Sequence, residues 1–340
     1  MKVGVVYDTV YLGHDPGEHP ENRQRLEAIV LRLKETGLWE KLVHIAPRPA
    51  TFEELRRVHS ESHVRYIREM AESGGGQIDA DTVVSLHSYE AALYAAGGVE
   101  SAVDVVMGGE VTSAFALVRP PGHHATRNQA MGFCLFNNVA VAAAHALDKY
   151  KLQRVLILDF DVHHGNGTQD IFADEPRVNY ISVHQSPLYP GSGSLEERGA
   201  GNMFNIPLPP DCGDGEYARV YDEIVIPVAR RFNPELVLVS AGFDAHWAYE
   251  LASMCLSING YAQIVRRIKA LADEYCAGRL VLSLEGGYNP APLAGCVKAV
   301  FDVLLGNERI EDRLGPCSSR ENPPDIVPLM VRLKESFGLS

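Results

Sequence analysis

Apolar residues along this chain fall into two alternating kinds of segment. Short β-branched runs occupy KVGVVYD (2–8), TSAFALV (112–118), RVLILDF (154–160), NYISVH (179–184), ELVLVSA (235–241) and RLVLSLE (279–285). Several are continuously apolar, as expected of parallel strands buried on both faces. Between them lie helix-like stretches at 21–36, 61–73, 88–107, 137–149, 215–232, 259–275 and 290–305. Pro20 just before the first of these and Gly37 just after it are start and stop signals. The βαβα order predicts an α/β fold, one mostly parallel sheet covered by helices on both sides. No repeat, low-complexity segment or linker marks a boundary, so residues 1–340 read as one domain. A polar, Pro-rich stretch from about 311 and a short helical pattern close the chain.

The polar clusters each follow one of the apolar strands. Arg119-Pro-Pro-Gly-His123-His124 follows 112–118, and Asp161-Val-His163-His164-Gly-Asn166 follows 154–160, with Asp159 inside the strand end. A Gly/Pro loop from Ser186 to Gly193 follows 179–184. Gly242-Phe-Asp244-Ala-His246 and Gly286-Gly287-Tyr288 follow the last two strands. Ligands of open parallel sheets bind beyond the carboxyl ends of the strands, so all five loops are expected at one sheet edge.

There, a strand continuing through Asp161-Val-His163 would aim a carboxylate and an imidazole from the same face. Asp244, from another strand, supplies a third donor. Three protein ligands with a place left for water is the layout of a catalytic zinc site. Asp-x-His alone would read as a solvated turn; the coincidence with Asp244 and the tandem histidines decides otherwise. The Pro-Pro-Gly turn fixes the direction of His123 and His124. Asp159 and Asn166 are candidate partners that orient one imidazole each, which makes His123 the more readily charged of the two. Tyr288, on a Gly-Gly hinge where Gly287 lets the backbone pass close to a ligand, can donate to a developing oxyanion. Taken singly, that hinge would be only a strand-to-helix turn.

Composition narrows the partners. The net charge of −13 and pI of about 5.5 leave no basic face for nucleic acid and suit cationic substrates. No apolar run approaches a membrane span, and MKVGVVYDTV reads as a first strand, not a signal peptide. The six cysteines (134, 212, 255, 276, 296, 317) form no CxxC pair and suit a reduced, cytoplasmic protein.

In this order, RPPGHHA, GFCLFNN, LDFDVHHGNGTQ, SVHQ…YPGSG, SAGFDAH and LEGGY resemble the histone deacetylase/acetylpolyamine amidohydrolase superfamily, especially its class II branch and bacterial histone deacetylase-like amidohydrolases. The resemblance runs from HPENRQRLEAI near residue 19 to about residue 305. It implies an arginase-like fold with a sheet of about eight strands, and a zinc-dependent deacetylase of acyl-lysine side chains in proteins or peptides. It assigns Asp161, His163 and Asp244 as zinc ligands, His124 as general base and acid beside His123, and Tyr288 as oxyanion donor. Gly132, Phe133 and Tyr189 would line a tunnel for the acyl-lysine stem, Leu251 would stand at its gate, and Asp81 could bind substrate backbone at the rim. Potassium is implied near the zinc, at Asp159, Asp161 and His163 with Ser182 and Val183, and at a second site at Phe172, Glu175 and Val178. Asn166 stands where the class I branch carries Asp. The loop His246-Trp-Ala-Tyr249-Glu250-Leu251 departs from the commoner Asp/Pro-rich version, which leaves rim specificity open.

Three other readings stand beside this one. An acetylpolyamine or other small-amide hydrolase gains from the negative charge and Glu250, and loses from Leu251 and the short 10–18 loop. A binuclear ureohydrolase would need further Asp ligands where His164 and Asn166 stand. An inert acyl-lysine-binding regulator would be expected to lack part of the ligand and tyrosine set. Ferrous iron would satisfy the same ligands as zinc. The resemblance also allows a homo-oligomer, since rim loops in that family often pack against a second subunit.

Overall fold

The structure is a computed structural model that describes residues 2–318 and 323–339. In chain order its strands are β1 (Val3–Val6), β2 (Val43–Ile45), β3 (Gly75–Gln77), β4 (Val83–Ser85), β5 (Ser113–Ala116), β6 (Val155–Asp159), β7 (Val178–Gln185), β8 (Met203–Leu208), β9 (Leu236–Ala241) and β10 (Leu280–Leu284). Eight of them form one sheet in the order β2-β1-β5-β10-β9-β6-β7-β8. Every neighbouring pair in it is parallel. β3 and β4 make a small antiparallel hairpin apart from it.

Each residue of β5, β6, β9 and β10 is buried, which explains their unbroken apolar runs: helices cover both faces, so no position is left to be polar for solvent. Expected strands and helices are present within a few residues, with two differences. β2, β8 and the β3–β4 hairpin were not anticipated. β2 has three residues, too few to show a period, and β8 carries Pro207, which an edge strand tolerates because one side needs no N–H donor. The 215–232 stretch is not one regular helix: it runs Asp214–Val220, a wider turn at Tyr221–Val225, then Ile226–Phe232. Pro227 lacks the N–H a regular turn would use, and the widened turn before it absorbs the missing bond. No helix among the described residues is long and apolar enough to cross a membrane.

Strand order positions the site. β5 and β6 are consecutive in the main sheet's chain order, yet β10 and β9 lie between them. The loops leaving all four therefore emerge side by side at one edge, which is where the polar clusters of the sequence meet.

Candidate active site

Strand β6 ends at Asp159, before either Asp161 or His163, so strand alternation does not place them. Their convergence has another cause. The His163 N–H donates to Asp161 Oδ1 at 2.9 Å, an Asx-type turn that folds the imidazole back over the carboxylate. His163 Nδ1 then lies 3.0 Å from Asp161 Oδ1 and 3.2 Å from Asp244 Oδ2. One donor atom from each of the three lies within 4.8 Å of the others. The Gly286 N–H holds Asp161 Oδ2 (2.8 Å), and the Val162 N–H holds Asp244 Oδ1 (3.0 Å). Asp244 Oδ2, fully buried, has no hydrogen-bond partner. A buried carboxylate oxygen left bare is costly unless a cation supplies the missing interaction. Two carboxylates and an imidazole form a donor set that zinc accepts, and the residues present fit that ion. Burial would lower the His163 pKa, but Asp161 and Asp244 outweigh it and raise it to about 10. A bound dication would take the place of that proton.

Two motif glycines are explained by the same carboxylates. A Cβ on Gly242 would overlap the Asp161 carboxylate, and one on Gly286 would overlap those of Asp244 and Asp161. The strand ends thus press bare backbone against the ligands.

The tandem histidines have unlike partners. His123 Nδ1 faces Asp159 Oδ2 at 3.1 Å, an oxygen that also accepts from the Tyr180 hydroxyl at 2.8 Å. Burial opposes charge on His123, yet Asp161 and Asp159 raise it to about 10. His124 Nδ1 lies 2.8 Å from Asn166 Oδ1. Asn166 Nδ2 is turned toward the His124 carbonyl and Met131 Sδ, so Oδ1 accepts and His124 carries its proton on Nδ1. Burial, with His123 and His163 beside it, holds His124 well below its ordinary pKa, which leaves Nε2 a free base. The loop is braced by the asparagines of GFCLFNN: Asn137 Nδ2 donates to the Ala125 carbonyl (3.2 Å) and Asn138 Nδ2 to the Pro120 carbonyl (3.0 Å). Glu285 completes the brace. Its Oε2 accepts from the Gly122 (2.6 Å) and His123 (3.2 Å) N–H groups, and its Oε1 from Ser240 Oγ (3.1 Å).

Gly287 holds φ +112°, a conformation closed to other residues, and this turn swings Tyr288 toward the ligands. Below it lies a buried network that sequence reasoning missed. Arg25 donates through Nε to the Gly287 carbonyl (2.7 Å), through Nη2 to the Glu285 carbonyl and through Nη1 to Glu21 (3.0 Å). Glu21 is shared with Arg119, and all three are fully buried. Glu21 and Arg25 sit in HPENRQR at ordinary helical spacing, where charge reads as a solvated face.

Above the ligands lies a cavity of about 220 Å³, lined by His124, Gly132, Phe133, His163, Leu188, Tyr189, Tyr249 and Tyr288, with Asp81 and Leu251. Phe133 holds φ 69°, a strained conformation for a bulky residue, and packs edge-on against Tyr288 at 5.3 Å. Tyr189 packs edge-on against His124 at 5.1 Å. Leu251 is 62 % exposed. Asp81 is carried by the unanticipated β3–β4 hairpin. It neighbours Asp79, and burial together with Asp79 raises its pKa. Tyr249, not expected in the site, lies 5.8 Å from Tyr288; its place in the rim loop that departs from the family pattern was the available signal.

Of the positions implied for potassium, Asp159 and Ser182 are register partners on β6 and β7, next to Val183. The Phe172, Glu175 and Val178 carbonyls converge on one point, where each accepts from Asn202 Nδ2 at 2.8–3.0 Å.

Comparisons agree with this architecture. A "Probable deacetylase" of Archaeoglobus fulgidus is 44% identical over 296 residues, which cover 85% of this chain and 82% of that protein. "Histone deacetylase 14, chloroplastic" of Arabidopsis thaliana is 39% identical over 88% of this chain and 76% of its own length. The crystal structure of the HDA15 HD domain superposes with a TM-score of 0.88 at 34% identity, over 99% of this chain and 94% of that one. Residues 19–304 match the histone deacetylase domain, and the chain belongs to that family.

Proposed function

We propose that this deacetylase-family protein is a zinc-dependent hydrolase that removes acetyl groups from acyl-lysine side chains of peptides or proteins. The observation that carries the reading is the donor set of Asp161, His163 and Asp244, with the buried Asp244 Oδ2 making no hydrogen bond, at the foot of an aromatic cavity. That cavity, lined by the rings of Phe133, Tyr189, Tyr249 and Tyr288, suits an unbranched amine stem. Asp161, His163 and Asp244 would hold the ion, which when bound would polarise the acyl carbonyl and acidify the attacking water.

The chain's own residues supply the rest. His124 Nε2, kept neutral, accepts the proton of the water as it attacks, and returns it to the departing amine nitrogen. His123, kept charged by Asp159, stabilises negative charge nearby and prevents a second proton from settling on His124. The Tyr288 hydroxyl donates to the carbonyl oxygen as it becomes an oxyanion; burial raises its pKa, so it stays protonated to do so. The products are a carboxylate and a free amine.

Turnover of an acetyl-lysine peptide, compared with acetylputrescine and acetylspermidine on zinc-loaded protein, tests this reading. Faster peptide turnover that collapses in Tyr288→Phe supports it. Preference for the acetylpolyamines moves the substrate to small amines, for which the Asp81 carboxyl in the cavity lining is a suitable partner. No turnover of any acylamine by the zinc-bound protein overturns the hydrolase and revives an acyl-lysine-binding role.

A further inference from the structure

A second cluster of metal-ligating side chains lies outside the tunnel, among three helices. Glu54 comes from the helix Phe52–Arg56, Glu100 from Ser88–Met107 and His145 from Asn138–Lys149. One donor atom of each lies within 4.8 Å of the others. Glu100 is fully buried and His145 nearly so; Glu100 Oε1 and His145 Nδ1 lack a hydrogen-bond partner, while Glu100 Oε2 pairs with Arg48 Nη2 at 3.1 Å. We propose that Glu54, Glu100 and His145 bind a divalent ion of the zinc class as a second, structural metal site.

The other face of the imidazole supports this. His145 Nε2 lies 2.7 Å from Asp104 Oδ1, a carboxylate oxygen that accepts from the Nε2–H group. Asp104 is itself fixed by the Tyr150 hydroxyl (2.9 Å) and Lys149 Nζ (2.8 Å). A carboxylate behind the imidazole is how proteins orient a metal-binding histidine, and it turns the Nδ1 lone pair inward. Nδ1 then faces Glu100 Oε1 at 3.5 Å and Glu54 Oε1 at 4.0 Å. A lone pair facing carboxylate oxygens needs a positive charge between them. A bridging proton would draw N and O to about 2.7–3.2 Å. Two donors each about 2.1 Å from one ion, at the tetrahedral angle, lie about 3.4 Å apart, close to the gap present.

Glu54, Glu100 and Asp104 gather three carboxyl groups around Arg48, Lys149 and the His145 imidazole. Arg48 occupies the outer side, 2.8 Å from Glu54 Oε1 and 3.1 Å from Glu100 Oε2, and leaves Glu100 Oε1 open. A cavity of about 350 Å³ is lined in part by Arg48 and Asp104, the residues that flank the cluster. The ion would tie together three helices that carry no tunnel residue.

The test is metal stoichiometry. The full chain is stripped of metal, reloaded with excess zinc, freed of unbound ion by gel filtration and measured by plasma mass spectrometry. Two equivalents are expected for the wild type, and one for both Glu100→Gln and His145→Gln, which keep peptide turnover within about two-fold. Asp244→Asn, altered at the tunnel site instead, should also keep one, and that one should be lost when His145→Gln is added. A wild type that saturates at one equivalent, with none left in Asp244→Asn, overturns the proposal. So do two equivalents that persist in both cluster variants, since the second ion then sits elsewhere. Should Glu100→Gln fail to fold, His145→Gln alone decides, read by loss of the zinc-dependent rise in Tm that Asp244→Asn retains.

Discussion

The Arg25 guanidinium lies 4.7 Å from the centre of the Tyr288 ring while its Nε donates to the Gly287 carbonyl at 2.7 Å. The residue that supplies the proposed oxyanion donor is thus gripped on its face and through its backbone by one buried cation. Arg25 opposes the burial that raises the Tyr288 pKa, so it acts on the strength of the hydroxyl as well as on its position.

Arg25→Lys should therefore lower kcat more than it raises KM. Lysine keeps the charge beside Glu21 but cannot make the forked contacts to the Gly287 and Glu285 carbonyls. A loss of roughly ten-fold or more in kcat, with KM within about three-fold, is expected from steady-state kinetics on an acetyl-lysine peptide, since misplacing a reacting group is costly. Equal losses in Tyr288→Phe and in the double variant would show that Arg25 works through Tyr288. Independent, multiplying losses would exclude that coupling.

Gly242→Ala should deplete the metal although it changes no ligand. The added Cβ would overlap Asp161, whose Oδ2 is already held by Gly286, so the carboxylate has no free direction in which to move. Zinc content after dialysis against a weak chelator should fall well below that of wild type. Disturbing the groups that hold a metal ligand in place typically costs about 10- to 100-fold in metal affinity. Retention of wild-type affinity would mean that the strand ends are more pliable than their packing implies.

Much of this was legible because chemistry follows strand ends. Asp161, His163, Asp244, His123, His124 and Tyr288 all lie just beyond apolar runs, and parallel strands deliver such residues to one edge whatever the order of the sheet. The detail of delivery was not legible. Asp161 and His163 meet through a side-chain turn after β6 has ended, a device that alternation does not encode. Glu21, Arg25 and Glu285 escaped notice because charge in a helix, or at a strand end, reads as solvent-facing until three-dimensional packing buries it. The β3–β4 hairpin, three residues a side, was too short to show a period, so the way in which Asp81 reaches the rim was hidden as well.

Glu285→Gln should change how stability depends on pH. Burial raises the Glu285 pKa to about 7, against an unfolded value of about 4.3. A carboxyl whose folded pKa is raised stabilises fully below pH 4.3, and that contribution is lost as pH rises through about 7. Glutamine can still accept from the Gly122 and His123 N–H groups, and it has no proton to lose. The difference in Tm between variant and wild type should therefore shift in favour of the variant between pH 4.5 and about 7.5. A difference that stays flat across this window would mean that Glu285 is ionised in the fold throughout.

Leu251→Glu should redirect the tunnel toward cationic amides. Leu251 stands exposed at the mouth, next in sequence to Glu250 and lining the same cavity as Asp81. A further carboxylate there adds attraction for an ammonium group on the substrate stem, and at such a partly solvated site a close pair is worth about 1 kcal/mol. The ratio of kcat/KM for acetylspermidine to that for an acetyl-lysine peptide should rise by about five-fold or more, and the gain should shrink in added salt as the charges are screened. An unchanged ratio would place selectivity deeper in the tunnel, where Tyr249 and Tyr189 narrow the path, and Tyr249→Ala would then be the variant that moves it.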